Sequence, residues 1–228
     1  MKADVAALPF LPDAVIFDMD GLMLDSERAS LRSWQRGAHE LGLRFEDDYW
    51  LRMVGHSTAA CEALLRERLD ADQVATLLER CHALYRAEVE AGIPLRPGVV
   101  ELLQWLQRHG IPRGVATSTR RPLAPHKLAG AGLLHYFDAV TAGNDVPHPK
   151  PAPDIYLLAA QRLDTDPTHC LALEDSPAGV TAALAAGMTV IQVPDLVPPD
   201  DALRARGHRI VDSLHAVRQL LEARLRAA

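Results

Sequence analysis

Short apolar runs recur along this chain, and segments with helical spacing alternate with them. The runs are Ala14 to Phe17, Gly114 to Thr117, Phe137 to Val140, Leu171 to Leu173 and Thr189 to Val193, with His208 to Val211 as an edge candidate. Each is short enough for a strand, and the continuous apolar character of Ala14 to Phe17 suits burial on both faces. Strands alternating with helices imply a parallel sheet covered by helices on both sides. The expected fold class is therefore α/β, with a Rossmann-like parallel sheet as its core.

One interval breaks the alternation. Between about Ser26 and Ile93 there is no strand pattern. Leu31, Trp34, Ala38 and Leu41 form one helical stripe, Leu64, Leu65 and Leu69 begin a second, and Val74 to Val89 carry a third. Gly92-Ile93-Pro94-Leu95-Arg96-Pro97-Gly98 then reads as a stiff return linker. The expected organisation is a core of residues 1–26 and 96–228 and an all-helical insertion of 27–95, placed at the carboxyl edge of the sheet. Residues 1–12 read as a polar, proline-containing lead-in, and Lys2, Asp4 and Pro9 do not make a signal peptide.

Composition excludes several classes. A net charge of −6 argues against a general nucleic-acid or anionic-membrane binder. No apolar stretch is long enough to span a bilayer. Cys61, Cys81 and Cys170 are scattered, without a Cys-x-x-Cys pair, as in a protein of a reducing compartment such as the cytoplasm. Lysine is rare: Lys2, Lys127 and Lys150 stand among many arginines, so a lysine that occurs is a candidate for a specific task.

The chemistry-bearing residues gather where strands end, and open parallel sheets bind ligands at those ends. Ala14 to Phe17 runs into Asp18-Met19-Asp20-Gly21, two carboxylates and a glycine that lets the chain turn. A calcium loop fits poorly, because its glycine stands sixth and no strand precedes it. Gly114 to Thr117 runs into Ser118 and Thr119, hydroxyls suited to helix capping or to an anion. Lys150 lies among Pro147, Pro149 and Pro151, presented from a stiff loop, and Asp154 can cap the helix of Ile155, Leu158 and Ala159. His148 and Asp145 read as exposed loop residues. Leu171 to Leu173 ends in Glu174 and Asp175, after which Ser176, Pro177 and Gly187 frame a helix. Adjacent carboxylates diverge, so one would reach a metal directly and the other support it. Oxygen-only ligands of this kind suit magnesium.

These four segments resemble the motifs of the haloacid dehalogenase superfamily, in its phosphatase and phosphomutase branch. Asp18-Met19-Asp20-Gly21 with Asp25-Ser26-Glu27 matches the first motif and Thr117 the second. Lys150-Pro151-Ala152-Pro153-Asp154 matches the third, and Glu174-Asp175-Ser176-Pro177-Ala178-Gly179 the fourth. The resemblance covers nearly the whole chain, and the nearest subgroup is the β-phosphoglucomutase-like phosphatases with a small α-helical cap. It implies that Asp18 attacks phosphorus to give an aspartyl-phosphate, while Asp20 protonates the leaving alcohol and then deprotonates water. It implies that Thr117 and Lys150 bind phosphoryl oxygens. Mg2+ would be held by Asp18, the backbone carbonyl of Asp20 and Asp175, with Glu174 assisting. The implied substrate is a small phosphorylated metabolite, a sugar phosphate, with no nucleic-acid or membrane partner. The oligomeric state stays open, a monomer being favoured.

Departures narrow the expectation. Asp20 favours phosphorus chemistry over carbon dehalogenation, and an insertion without lysine excludes a Schiff-base phosphonate hydrolase. Ser30 and Thr58 stand where the resembled mutases carry a histidine and an arginine, which favours hydrolysis over phosphomutase activity. A non-catalytic phospho-acceptor module is the alternative of another class. Glu27, Arg28, Arg52, His56 and Arg86 receive no assignment. Closure of the cap, hinged near Ser26–Glu27 and Ile93–Pro97, is a further expectation.

Overall fold

The computed structural model describes residues 8–54 and 58–227, the side chains of Asp47, Thr58 and Ala59 excepted. Lys2, Asp4 and His56 lie outside the described residues. In chain order the elements are β1 (Ala14–Phe17), α1 (Ser26–Glu40), α2 (Asp47–Leu51), α3 (Thr58–Leu65), α4 (Ala71–Ala91), α5 (Val99–Arg108), β2 (Arg113–Ala116) and α6 (Leu123–Gly130). They continue as β3 (Ala139–Thr141), α7 (Asp154–Arg162), β4 (Cys170–Glu174), α8 (Pro177–Ala185), β5 (Thr189–Gln192), α9 (Asp201–Arg204), β6 (Arg209–Ile210) and α10 (Leu214–Arg226). Two compact units result, one from the residues up to Leu24 and from Leu95 onward, the other Asp25–Pro94.

In the first unit six parallel strands lie in the order β3-β2-β1-β4-β5-β6. The chain builds outward from β1 to β3 on one side, then returns to place β4 on the other. The order reverses beside β1, and the crevice at the carboxyl ends of β1 and β4 is the topological switch point of the sheet. Phe17 pairs with Leu173 across it.

Strands β1, β2 and β4 are buried throughout, as the middle of a parallel sheet requires, while the edge strands β3 and β6 are only half-buried. Ala14, Ile16, Ala116, Ala172 and Val190 pack with Ile155, Tyr156 and Ala159 of α7 and with Val180 and Ala183 of α8. On the other face Phe17 meets Phe137 edge-on at 5.7 Å, while α5 packs on α10. Small residues on α8 allow close approach to the sheet. Gly114 in β2 serves the same end, its Cα being covered by the side chain of Leu163.

The second unit has a core of its own. Ala38, Trp50, Met53, Cys61, Leu65, Leu77 and Cys81 pack together, with Trp34 stacked on Trp50 at 6.3 Å. Helix α1 lies along α4, joined at the rim by the ion pairs Arg32–Glu88 (2.7 Å) and Arg80–Glu40. Asp70 and Gln73 form a capping box that starts α4. Leu64 and Leu65 close α3 rather than opening a helix, because Asp70 starts the next one. All three cysteines are free and buried. Burial pushes the Cys81 and Cys170 thiols up to about 12, so they behave as small apolar groups. Among the described residues no helix is long and apolar enough to cross a membrane.

Candidate active site

The β1–β4 ladder runs one residue past β1, where the Asp18 N–H donates to the Leu173 carbonyl at 2.9 Å. That bond sets the Asp18 side chain beside Glu174, the last residue of β4, and Asp175 follows. Gly21 adopts a φ of +85°, and the chain turns back so that the Gly21 N–H donates to Leu24 at 3.0 Å.

Lys150 enters from the loop between β3 and α7. Its ammonium donates to Asp18 Oδ1 at 2.6 Å, to Glu174 Oε1 at 2.6 Å and to the Ala116 carbonyl at 3.0 Å. Its side chain is 5% exposed, so it stands as a fixed charge rather than a solvated one. Burial by itself would lower its pKa, but Asp18 and Glu174 prevail and raise it. For Asp18, burial dominates and lifts the carboxyl to about 8 against the pull of Lys150, with Glu174 and Asp20 adding repulsion.

Glu174 is fully buried and uses both oxygens. Oε1 also accepts from the Tyr156 hydroxyl at 2.6 Å; Oε2 accepts from the Asp175 N–H, the Ser176 N–H and Ser176 Oγ, each at 3.1 Å. These backbone donors belong to the start of α8, where Ser176 is the N-cap and takes the Gly179 N–H at 3.1 Å, and Pro177 fills the first helical position. The Tyr156 hydroxyl is kept protonated by burial and by Glu174, so it remains a donor.

Asp18, Glu174 and Asp175 each bring one carboxylate oxygen within 4.8 Å of the others. Three carboxylates against one lysine leave a formal charge of −2, and every donor is a hard oxygen. The residues fit a divalent cation of the magnesium or calcium kind. Glu174, accepting from five donors, suits a supporting role beside Asp18 and Asp175.

The Asp20 carboxylate does not join this cluster, so any contribution of Asp20 to a metal has to come from its backbone oxygen. Its side chain turns instead toward β2 and α6. Oδ2 accepts from Thr119 Oγ1 at 2.6 Å and lies 3.5 Å from Thr117 Oγ1, while Oδ1 meets the ammonium of Lys127. Thr117 is buried at the end of β2, and its hydroxyl also accepts the Thr119 N–H at 3.1 Å.

Several expectations change. Ser118 and Thr119 do not cap a helix, because α6 starts only at Leu123. Asp154 does not cap α7 either: Pro153 holds the N-cap position, and the Asp154 carboxylate pairs with His148 Nδ1 at 2.8 Å. Asp145 is not an exposed loop residue. It accepts from Arg162 at 2.6 Å, from Arg121 at 3.1 Å and from the Ala142 N–H at 3.1 Å, tying the loop after β3 to α7. Tyr156 escaped the reading of the sequence; Thr119 was read only as a capping or anion-binding hydroxyl, and Lys127 was marked by the scarcity of lysine without a role. In the second unit Arg28 pairs with Asp25 at 2.7 Å and Arg52 with Glu67 at 3.3 Å.

The family model of haloacid dehalogenase-like hydrolases matches residues 12–187. Fructose-1-phosphate phosphatase YqaB of Escherichia coli K12 is 36% identical over 181 residues, covering 78% of this chain and 95% of that protein. A phosphorylated carbohydrates phosphatase of Thermotoga maritima is 33% identical over 177 residues, covering 77% and 82%. A haloacid dehalogenase family hydrolase from Deinococcus radiodurans, crystallised with phosphate and sodium, superposes with a TM-score of 0.79 at 29% identity, covering 95% of this chain and 96% of the other. This chain belongs to the haloacid dehalogenase-like hydrolases.

Proposed function

We propose that the protein is a magnesium-dependent phosphatase that hydrolyses a sugar phosphate or similar small monoester through a phosphorylated Asp18. The observation that carries this reading is the pairing of Lys150 with Asp18 at the switch point of the sheet, with a second, separately held carboxylate, Asp20, two residues on. The activities of the two phosphatases named above support the choice of substrate class.

Asp18 attacks phosphorus in line, so that a bond forms from its carboxylate oxygen as the bond from phosphorus to the sugar oxygen breaks. Asp20 gives its proton to the departing alcohol. It then takes a proton from the water that attacks the phosphoryl-aspartate, which regenerates Asp18 and frees inorganic phosphate. Lys150 and Thr117 hold the phosphoryl oxygens, and Lys150 offsets the repulsion between Asp18 and an anionic substrate. Asp18, the Asp20 carbonyl and Asp175, with Glu174 behind them, would hold a magnesium ion, which would supply positive charge to the transferring group and keep Asp18 ionised. Ser30, where the resembled mutases carry histidine, favours water over a second sugar as acceptor.

The test is phosphate release from a panel of sugar phosphates, with and without magnesium, for the wild type, Asp18→Asn and Asp20→Asn. Magnesium-dependent release abolished by Asp18→Asn is the expected result. A folded wild type that releases no phosphate from any of them, but converts one sugar phosphate into its isomer, would replace hydrolysis by the mutase reading.

A further inference from the structure

Lys127 has no part in the mechanism above, yet its position demands an account. It lies on α6, a helix with no arginine or carboxylate, and its side chain is 2% exposed. Removing an ammonium from water costs several kcal/mol per ion even after relaxation, and an apolar replacement for a buried ion pair is often as stable or more so. Stability alone is therefore a weak reason for this lysine. What the ammonium meets is Oδ1 of Asp20, while Thr119 Oγ1 donates to Oδ2 at 2.6 Å. The two oxygens are thus engaged from α6 and from the loop that precedes it, and rotation of the carboxylate breaks one contact or the other. A compact ammonium on a flexible stem suits this task better than a planar guanidinium, in a chain that otherwise prefers arginine.

We infer that Lys127 is a positioning residue for Asp20, fixing with Thr119 the orientation in which that carboxyl exchanges its proton with the leaving alcohol and with water. The inference rests on the reading of Asp20 as the acid and base of the reaction. Proton transfer needs donor and acceptor within hydrogen-bond reach, and a freely turning carboxyl meets that condition for only part of the time.

The experiment is a double-mutant cycle on kcat and KM with a sugar phosphate, using Lys127→Met, Asp20→Asn and the pair, with thermal unfolding of each variant alongside. Lys127→Met should lower kcat by about tenfold to a hundredfold, a share of the ~10²–10⁴ supplied by general acid–base catalysis, and leave KM nearly unchanged. In the Asp20→Asn background the same substitution should cost nothing further, because the group it positions is gone. Lys127→Arg should recover part of the rate. Full kcat in a folded Lys127→Met protein, or a loss that simply multiplies with that of Asp20→Asn, would overturn the inference. If Lys127→Met does not fold, Thr119→Val carries the same cycle, with a smaller expected loss that again vanishes beside Asp20→Asn; an undiminished kcat there would overturn it equally. An Asp20→Asn enzyme as fast as the wild type would instead overturn the acid–base reading itself.

Discussion

Gly179 on α8 lies directly beneath the carboxylate of Glu174: a Cβ built on it would stand 1.8 Å from Oε1 and 2.2 Å from Oε2. No side chain fits there unless Glu174 moves, and Glu174 is the hub on which Lys150, Tyr156 and the start of α8 converge. The glycine is required by close approach rather than by backbone conformation.

Gly179→Ala should therefore damage the metal site more than the fold. Displacing a supporting carboxylate typically costs about 10–100-fold in metal affinity, and the concentration of magnesium needed for half-maximal activity should rise by that order. The overpacked helix start should lose about 1–3 kcal/mol, read from urea unfolding. An unchanged magnesium requirement would show that Glu174 does not support the ion.

Asp145 links stability to pH. Burial would raise its pKa, but hydrogen bonds from Arg121 and Arg162 outweigh that and hold it at about 2, below its ordinary 3.8. Its stabilising contribution is thus full above about 3.8 and is lost as pH falls through about 2. Its arginine partners are partly exposed and solvent screens the pairs, so the depression corresponds to about 1 kcal/mol at neutral pH. Asp145→Asn should be less stable than the wild type by that order at pH 6, and the gap should narrow toward pH 3. A gap independent of pH would place the effect in packing rather than in charge.

In the helical unit, Gly37 faces α4, where an added Cβ would come 2.8 Å from Cys81 Sγ. Gly37→Ala gains about 1 kcal/mol of helix propensity but forces a buried contact worth about 1–3 kcal/mol. A net loss is expected in the wild type. In a Cys81→Ala background the same substitution should become stabilising, because the obstructing sulfur is gone. Equal effects in both backgrounds would contradict this packing.

Much of the site could be read along the chain because each of its parts is local. An apolar run that stops at a carboxylate marks a strand end, and strand ends in a parallel sheet share one edge. Asp18, Asp20, Glu174 and Asp175 stood out in this way, as did Ser176 and Pro177 at the start of α8, whereas Lys150 was marked by its proline-rich loop and Thr117 by the motif resemblance. The contacts that organise these residues were not. Lys127 meets Asp20 across 107 positions and Tyr156 reaches Glu174 across 18, and neither lies next to a strand end, so no periodicity announces them. Thr119 and Asp154 were misread as helix caps because capping and ligand-binding use the same polar side chains. Only the three-dimensional path decides which partner a hydroxyl or carboxylate finds.

The most direct test of the account is whether phosphate rests on Asp18 during turnover. Asp20→Asn should still accept a phosphoryl group from acetyl phosphate, whose leaving group needs no protonation, but should lack the base that activates water. Acid-quenched after mixing with magnesium and acetyl phosphate, this variant is predicted to carry a phosphoryl group on the peptide containing Asp18, and Asp18→Asn/Asp20→Asn none. Phosphate release by Asp18→Asn at the wild-type rate, with no covalent label on either quenched protein, would contradict a covalent role for Asp18 and with it the central claim.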